Sequence, residues 1–115
     1  MAIIDSDENS RKKGSAELLV LAQLEGRPRH GYEIGVEIER RSEGAVSFQI
    51  ASLYPVLYRL ERKGLIDGKW VEGAGQRRRR YYTITPDGKR VLSEQRKSWG
   101  AFLNALQRAA GLENA

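Results

Sequence analysis

The segment from Gln49 to Thr85 constrains the fold most tightly, because its hydrophobic pattern changes from helical to strand-like within a short stretch. Its first part carries an apolar stripe at positions i, i+4 and i+7, made of Leu53, Leu57 and Leu60. That spacing places the three side chains on one face of a helix. After Lys63-Gly64 come two runs rich in strand-favouring residues, Leu65 to Val71 and Arg80 to Thr85. The pattern therefore predicts a helix followed by an antiparallel β-hairpin.

The loop between the two predicted strands is both glycine-rich and strongly basic. It reads Glu72-Gly73-Ala74-Gly75-Gln76-Arg77-Arg78-Arg79, so its glycines fix little shape while its arginines concentrate positive charge. A helix fits the major groove of B-DNA, and an arginine-rich tip fits along the phosphates or in the minor groove. The segment thus predicts a winged helix that binds DNA. Two other interpretations stay open: a solvated loop tip, and, for Arg80, a structural role in which strand alternation turns it inward or toward an acid.

The composition excludes several classes of function. The chain has 115 residues, enough for one domain, and a net charge of +5, which favours a polyanionic partner. Because cysteine is absent, disulfides, thiolate metal sites and cysteine nucleophiles are excluded. The one histidine, His30, makes neither a zinc site nor a catalytic triad by itself. With no nucleotide-binding glycine loop either, we expect no enzyme activity, no cofactor and no metal site.

The start of the chain has no helical or strand-like periodicity. Residues 1–8 carry acids where a signal peptide has a basic region, and no run of eighteen apolar residues occurs in the sequence. We therefore expect a cytoplasmic protein without a membrane partner. Residues 1–14 are interpreted as an N-terminal arm that is either mobile or a short extra helix that packs only on a partner.

Two helices are predicted before the hairpin segment. The first runs from about Ser15, a plausible N-cap, to Glu25, with an apolar face made of Leu18, Leu21, Ala22 and Leu24. The second runs from about His30, interpreted as a capping or hinge group, to Arg41. Its inner stripe is Gly31, Ile34, Gly35 and Ile38. Glycines lower helix propensity, so we expect a neighbouring helix to approach them closely.

The third helix has two possible starts because of Pro55. If Ser52 is the N-cap, Pro55 lies in the first turn, where a missing N–H does no harm. If the helix begins near Ser47, Pro55 removes one internal hydrogen bond and bends the helix. With both starts, Gln49 and Ser52 lie near the N-terminal end, the part of a recognition helix that usually reaches base edges.

The last predicted helix begins after Thr85, its expected N-cap, with Pro86 at its first position, and continues to about Ala110. In heptad spacing it shows two seams, Leu92, Trp99 and Leu106 on one and Gln95, Phe102 and Ala109 on the other. Such a stripe predicts self-association. The predicted dimer interface consists of Leu92, Trp99, Phe102, Leu103 and Leu106. On this interpretation, Trp99 is simply part of the interface core.

Four blocks of the sequence resemble the signature blocks of PadR-type transcriptional regulators, in the same order. They are Gly31-Tyr32-Glu33-Ile34, Ser52-Leu53-Tyr54-Pro55-Val56-Leu57-Tyr58-Arg59-Leu60-Glu61, Gly64-Leu65-Ile66, and Arg78-Arg79-Arg80-Tyr81-Tyr82-Thr83-Ile84-Thr85-Pro86-Asp87-Gly88. The resemblance extends from about Ser15 to Trp99. A single C-terminal helix is similar to the smaller subfamily of these regulators.

The resemblance implies a mainly helical fold with a small antiparallel β-hairpin: a winged helix-turn-helix plus a C-terminal dimerisation helix. The implied units are an arm at 1–14, a DNA-binding domain at 15–85 and a dimerisation helix at 86–115. It further implies a homodimeric repressor in which Tyr54 bonds a backbone phosphate. In some relatives a tryptophan on the last helix stacks on planar hydrophobic effectors, which implies such a site at Trp99 and Phe102.

The predicted function is therefore sequence-specific regulation of transcription. A dimer with two reading helices about one turn of DNA apart calls for a near-palindromic operator in double-stranded DNA. The predicted DNA-contacting residues are Gln49, Ser52, Tyr54, Arg59, Lys63, Arg77, Arg78 and Arg79. Arg59 and Lys63 have a second interpretation, in which they pair with Glu61 and water. A winged helix that binds another protein without reading DNA remains the alternative function.

Overall fold

A computed structural model describes the backbone of residues 8–73, 75 and 77–112, and the side chains of residues 14–73, 75 and 77–112. The elements are α1 (Glu8–Gln23), β1 (Arg29–His30), α2 (Gly31–Arg41), α3 (Ile50–Arg62), β2 (Ile66–Glu72), β3 (Arg78–Ile84) and α4 (Pro86–Ala110). The strands form one antiparallel sheet in the order β1-β3-β2. The predicted fold class is confirmed, and the two-residue strand β1 is an addition to the predicted hairpin.

The first helix begins earlier than expected. Helix α1 starts at Glu8, so Ser15 lies inside the helix and is not its N-cap. A Cβ built on Gly14 would lie 3.8 Å from the Cζ2 atom of Trp99 on α4. The N-terminal turns of α1 thus lie beside the last helix of the same chain, which local periodicity does not reveal. Of the predicted arm, residues 8–14 are helical, and residues 1–7 lie outside the described part of the chain.

The hydrophobic core lies between helices α1 to α3 and is closed by the sheet and the first turns of α4. The members of the predicted stripes that are fully or almost fully buried are Leu21, Leu24, Ile34, Ile38, Leu53, Leu57 and Leu60. Helices α2 and α3 approach each other at the two glycines of α2. A Cβ added to Gly31 would lie 3.0 Å from Ile50 Cδ1, and one added to Gly35 would lie 3.4 Å from Leu53 Cδ1. The expected close approach is confirmed.

Helix α2 is capped by His30, which is one of the two roles, cap or hinge, that the sequence left open. The backbone N–H of Glu33 donates to His30 Nδ1 at 3.3 Å, and the backbone N–H of His30 donates to the Glu33 carboxylate at 3.2 Å. This reciprocal pair is a capping box, which satisfies two backbone donors that the helix itself leaves unpaired. Because His30 also belongs to β1, the cap joins the helix to the sheet.

Helix α3 begins between the two starts that the sequence left open. Its N-cap is Gln49, its first residue is Ile50, and Pro55 lies in its second turn. Since proline has no N–H, the helix lacks the bond to the Ala51 carbonyl. The buried face, made of Leu53, Val56, Leu57 and Leu60, packs onto the core despite this loss.

Helix α4 begins as predicted: the Thr85 hydroxyl accepts a hydrogen bond from the Gly88 N–H at 3.0 Å, and Pro86 is the first helical residue. A Cβ on Gly88 would lie only 2.1 Å from the carbonyl oxygen of Leu65, so the helix start sits directly against the chain that leads into β2. The helix ends at Gly111, whose φ of 70° is the left-handed conformation that glycine favours at a C-terminus.

Candidate nucleic-acid interface

The N-terminal half of α3 faces the β2–β3 hairpin across an open cleft of about 730 Å³. We call the hairpin with its connecting loop, residues 66–84, the wing, and the space the α3–wing cleft. The helical wall is formed by His30, Gly31, Tyr32, Ile50 and Tyr54, and the wing wall by Trp70, Arg77, Arg78, Arg79, Arg80 and Tyr82. Four consecutive arginines thus line a concavity that opens beside the start of α3.

Arg77, Arg78 and Arg79 are exposed, and the first two lie nearest the tip. Arg77 is exposed, and Arg78 has only weak partners: the Glu72 carboxylate at 3.4 Å and the Trp70 ring, whose centroid lies 4.9 Å from its Cζ atom. The side chains of Arg78 and Glu72 are 57% and 77% exposed, so water screens this ion pair. Both guanidinium groups are therefore available to an anionic partner.

Arg79 also lines the α3–wing cleft and is exposed, but its guanidinium contacts His30. Its Nη1 atom lies 2.9 Å from His30 Nε2. Burial lowers the pKa of His30, and the charges of Arg79 and Arg27 lower it further, against the opposing effect of Glu33. A neutral imidazole has only one nitrogen that can accept a hydrogen bond. Arg79 needs that acceptor at Nε2 and the helix cap needs it at Nδ1, so the two contacts favour different tautomers of His30.

Arg80 has a structural role, which confirms the alternative interpretation drawn from strand alternation. Its guanidinium donates to the Glu61 carboxylate of α3 at 2.5 Å and lies over the Trp70 ring, 5.6 Å from its centroid. Gly68 makes room for it, since a Cβ there would lie 2.6 Å from Arg80 Nε. The pair holds the wing against α3.

The start of α3 presents the side chains that the sequence placed there. Gln49 and Ser52 are exposed, and Tyr54 is 57% exposed on the helical wall of the α3–wing cleft. Sequence reasoning did not single out Ile50 and Ala51, which are exposed in the same turn. The signal was available, because the buried spacing of the leucines leaves these positions outside the stripe.

Trp70 is a second residue that the sequence reasoning did not assign to the site. Its side chain is 56% exposed although it is large and apolar. It lies directly opposite Arg80 in the antiparallel register, and the guanidinium groups of Arg78 and Arg80 lie over its ring. Cation–π contacts of this kind orient guanidinium groups. An aromatic residue across the hairpin from an arginine run was the available signal.

Arg59 and Lys63 do not line the α3–wing cleft. Both reach the carboxylate of Glu17 on α1, Arg59 Nε at 3.4 Å and Lys63 Nζ at 3.3 Å. Glu17 is only 7% exposed, so these cations compensate a buried charge. Their protein partner is therefore Glu17 rather than Glu61, which pairs with Arg80. Helical spacing places Arg59 about 140° around α3 from Tyr54.

The stripe on α4 divides into a buried and an exposed part. Leu92, expected in the dimer interface, is 1% exposed within the core of its own chain, because the first turns of α4 close the domain. Leu103 and Leu106 are 50% and 43% exposed. Trp99 and Phe102 are partly buried and meet edge to face, with centroids 5.9 Å apart. The exposed stripe thus begins after Leu92.

Gln95 lies one turn before Trp99 on the same side of α4. Its Oε1 atom is buried and accepts no hydrogen bond from the described residues. A buried acceptor without a donor is costly, so this position calls for a partner group.

Elsewhere the described residues give no sign of metal or membrane chemistry. Within the described ranges, no cluster of three or more histidine or acidic side chains is arranged to hold a metal ion. Among the helices in the described part of the chain, none is long and apolar enough to cross a membrane.

Comparison with known proteins places this geometry in a family. Residues 20–94 match the model of the transcriptional regulator PadR-like family. The chain is 36% identical over 87 residues to a protein named "Uncharacterized protein X" from Lysinibacillus sphaericus, a match that covers 76% of this chain and 80% of that protein.

Solved structures share the fold. A PadR family transcriptional regulator from Eggerthella lenta superposes with a TM-score of 0.74 at 29% identity, covering 98% of this chain and 95% of that one. A transcriptional regulator from Clostridium thermocellum superposes with a TM-score of 0.77 at 24% identity, covering 89% of this chain and 96% of that one. Bacillus subtilis PadR, solved in complex with operator DNA, superposes with a TM-score of 0.63 at 23% identity, covering 68% of this chain and 44% of that one.

The resemblance noted in the sequence is thereby confirmed by an independent family match over most of the folded chain. The family is one of transcriptional regulators and not of enzymes, in agreement with the expectation drawn from the composition. The chain belongs to the PadR-like family of transcriptional regulators.

Proposed function

We propose that this protein is a homodimeric, sequence-specific DNA-binding regulator that acts as a repressor. The observation that carries the proposal is the α3–wing cleft, in which exposed Arg77 and Arg78 lie on the wing wall while Gln49 and Ser52 project from the adjacent helix start. Cationic groups of the wing and exposed hydrogen-bonding groups of α3 thus lie at the same end of the helix. Bacillus subtilis PadR, which has a similar fold, was solved in complex with operator DNA, and this supports DNA as the partner.

In the proposed complex, α3 enters the major groove with its N-terminal turn foremost. Gln49 and Ser52 then reach base edges, which carry sequence information. Arg77 and Arg78 follow the flanking backbone or the minor groove, and Tyr54 donates its hydroxyl to a phosphate. Such contacts fix orientation and register without reading sequence. Arg59 and Lys63 take a secondary part, because both already neutralise Glu17.

The proposed dimer forms through the exposed part of α4. Leu103 and Leu106 continue the stripe of Trp99 and Phe102, and their exposed apolar surface would be buried on pairing. A symmetric dimer places two copies of α3 about one turn of DNA apart, so the operator is a near-palindrome.

We further propose that repression is steric and that a planar hydrophobic effector releases it. The effector would stack on Trp99 and Phe102 at the dimer seam, where Gly100 leaves open space at its own Cβ position. A small rotation of the subunits would then change the spacing of the two reading helices. Breaking a hydrogen-bonded pairing between a side chain and a base in this way weakens binding by about 1–3 kcal/mol. Residues 15–85 form the reading unit and residues 86–115 the dimerisation helix in this proposal.

The test begins with the full-length protein and a pool of random-sequence duplexes. Repeated selection should recover a near-palindromic duplex, and its affinity should fall steeply with salt, by about 0.9 in log K per log salt for each phosphate neutralised. Sedimentation of the complex should show two chains per duplex. Failure to enrich any duplex, together with a salt-independent affinity, would favour the protein-binding alternative.

The effector is tested separately through tryptophan fluorescence. Planar aromatic compounds should quench the emission of Trp99 and lower the affinity for the selected duplex. The Trp70→Phe variant removes the other tryptophan, so that the signal reports the α4 site. A broad panel of compounds without any quenching would leave Trp99 as interface core.

A further inference from the structure

The first turn of α3 is unusual for a surface that faces a polyanion, because it carries no charge. From Ser42 to Tyr58 the only charged side chain is Glu43, and neither lysine nor arginine occurs. The hydrogen-bonding side chains at the helix start are Gln49 and Ser52. Ile50 and Ala51 lie between them and are both exposed, Ile50 to 37%.

Neither of these exposed apolar residues belongs to the buried face of α3. The buried face of α3 is made of Leu53, Val56, Leu57 and Leu60. At 100° per residue, Ala51 lies almost directly opposite that face. The Cδ1 atom of Ile50 packs against Gly31, near enough that a Cβ there would lie 3.0 Å away. This contact packs one side of Ile50, and the residue also lines the α3–wing cleft.

Chemistry in the major groove suggests what these side chains recognise. Guanine is usually read by arginine or lysine, which this turn lacks, whereas adenine is read by glutamine or asparagine. The C5-methyl group of thymine is the apolar feature of the major-groove edges, and apolar side chains contact it. An exposed apolar pair beside a glutamine therefore matches A·T base pairs.

We propose that Ile50 and Ala51 read thymine methyl groups in the major groove, with Gln49 available to the adenine of a neighbouring pair. This specificity rests on the proposed function, and it names the chemistry of the operator. The wing is consistent with it, because A·T-rich flanks narrow the minor groove and attract arginine. Arg77 and Arg78 are exposed at the tip that would meet such a flank.

The experiment removes methyl groups from the DNA and leaves the protein unchanged. In the duplex selected from the random pool, each thymine is replaced in turn by deoxyuridine, which pairs identically but lacks the methyl group. Affinity for the full-length protein is measured by fluorescence anisotropy. At the positions read by α3, we expect the affinity to fall about fourfold for each methyl group removed. This factor corresponds to the free energy gained by burying one CH₂-sized group. Thymines outside the part of the duplex that the protein covers serve as controls, and their replacement should leave the affinity unchanged.

A second arm assigns the effect to the residues. In the Ile50→Ala variant, the deoxyuridine effect at one pair of symmetry-related positions should disappear, while effects at other thymines persist. The Ser52→Ala variant removes a proposed base-contacting hydroxyl, so its affinity should fall overall while the methyl effects persist. A selected duplex without thymine in its core, or one insensitive to every replacement, would overturn the inference and leave the proposed function standing. Absence of any duplex binding would instead remove the proposed function, and the inference with it.

Discussion

The guanidinium of Arg79 lies 2.9 Å from His30 Nε2, and the same imidazole caps α2 through Nδ1. One side chain therefore links the wing to the helix that packs on α3. The Tyr81 ring covers the imidazole edge to face, with centroids 5.1 Å apart. Because His30 is only 8% exposed, its charge state bears directly on the stability of this junction.

This junction predicts a pH-dependent stability. The pKa of His30 is lowered in the folded state, chiefly by burial. The unfolded chain therefore binds a proton that the folded chain resists, and stability is lost as the pH falls below about 6.5, by at most about 1.4 kcal/mol per pH unit. The free energy of urea unfolding, measured between pH 7.5 and 5.5, checks the prediction.

The matched variant is His30→Asn, which offers a side-chain oxygen as the N-cap acceptor in place of Nδ1 and removes the titrating group. Its unfolding free energy should vary less over the same pH range. The pKa values of Glu25 and Glu37 are also lowered, by hydrogen bonds from Arg96 and Arg40 respectively, but these carboxylates titrate below the range used. An equal pH dependence in the variant would exclude His30 as the cause.

Replacing Arg77 and Arg78, the exposed arginines at the tip of the wing, should weaken DNA binding without changing stability. In the Arg77→Ala/Arg78→Ala variant, the slope of log K against log salt should flatten by about 0.9 for each phosphate that is no longer neutralised. The affinity should fall by a similar factor for specific and non-specific duplexes, because phosphate contacts carry no sequence information. The Lys97→Ala/Arg108→Ala variant removes the same charge from exposed positions on α4 and should bind as before. If the slope of log K against log salt were the same in both variants, the wing would not be part of the DNA interface.

Loss of the Arg80–Glu61 pair should affect recognition more than folding. Both side chains are about one-third exposed, so the Glu61→Ala variant should lose less than about 1 kcal/mol of stability. The wing would then be held less firmly against α3, and the ratio of specific to non-specific affinity should fall. That ratio is the useful measurement, since a mere change of net charge moves both affinities together. Glu94→Ala, which breaks the exposed Arg90–Glu94 pair on α4, is the control.

Acidic residues on the exposed stripe of α4 should separate the subunits. The Leu103→Asp/Leu106→Asp variant should sediment as a folded monomer, because both positions are exposed in the single chain. Asn104→Asp introduces the same acid on the other side of the helix and should remain dimeric. By contrast, Leu92→Asp should unfold the chain, since it buries a carboxylate in the core. If the double variant remained dimeric, the dimer interface would not be formed by this stripe.

The start of α4 should tolerate no side chain at Gly88. In the Gly88→Ala variant the new Cβ would meet the backbone carbonyl oxygen of Leu65, which already accepts the N–H of Thr85 at 3.0 Å. We expect a loss of about 1–3 kcal/mol in the free energy of unfolding. Gly100→Ala is the control in the same helix: its Cβ position is open, and alanine should stabilise the helix by up to about 1 kcal/mol. Equal effects of the two substitutions would show that the contact relaxes freely.

Sequence periodicity determined the elements and the faces that they bury. The stripes containing Ile34 in α2 and Leu57 in α3 are buried as predicted, and the Thr85-Pro86 start of α4 is confirmed. These features depend on local spacing and on backbone chemistry, which a single segment carries within itself. The arginines of the loop likewise indicated a basic tip, and strand alternation indicated that an acid was one possible partner for Arg80.

Only the tertiary structure decided which distant groups meet. Arg59 and Lys63 turn to Glu17, more than forty residues earlier in the chain, and Leu92 enters the core instead of the exposed stripe. Helix α1 begins before Ser15 and runs beside α4, where Gly14 faces Trp99. Such pairings depend on how helices pack, because contacts between remote segments leave no trace in local periodicity. Sequence thus determined what each segment is, and packing determined which side chains remain free to bind.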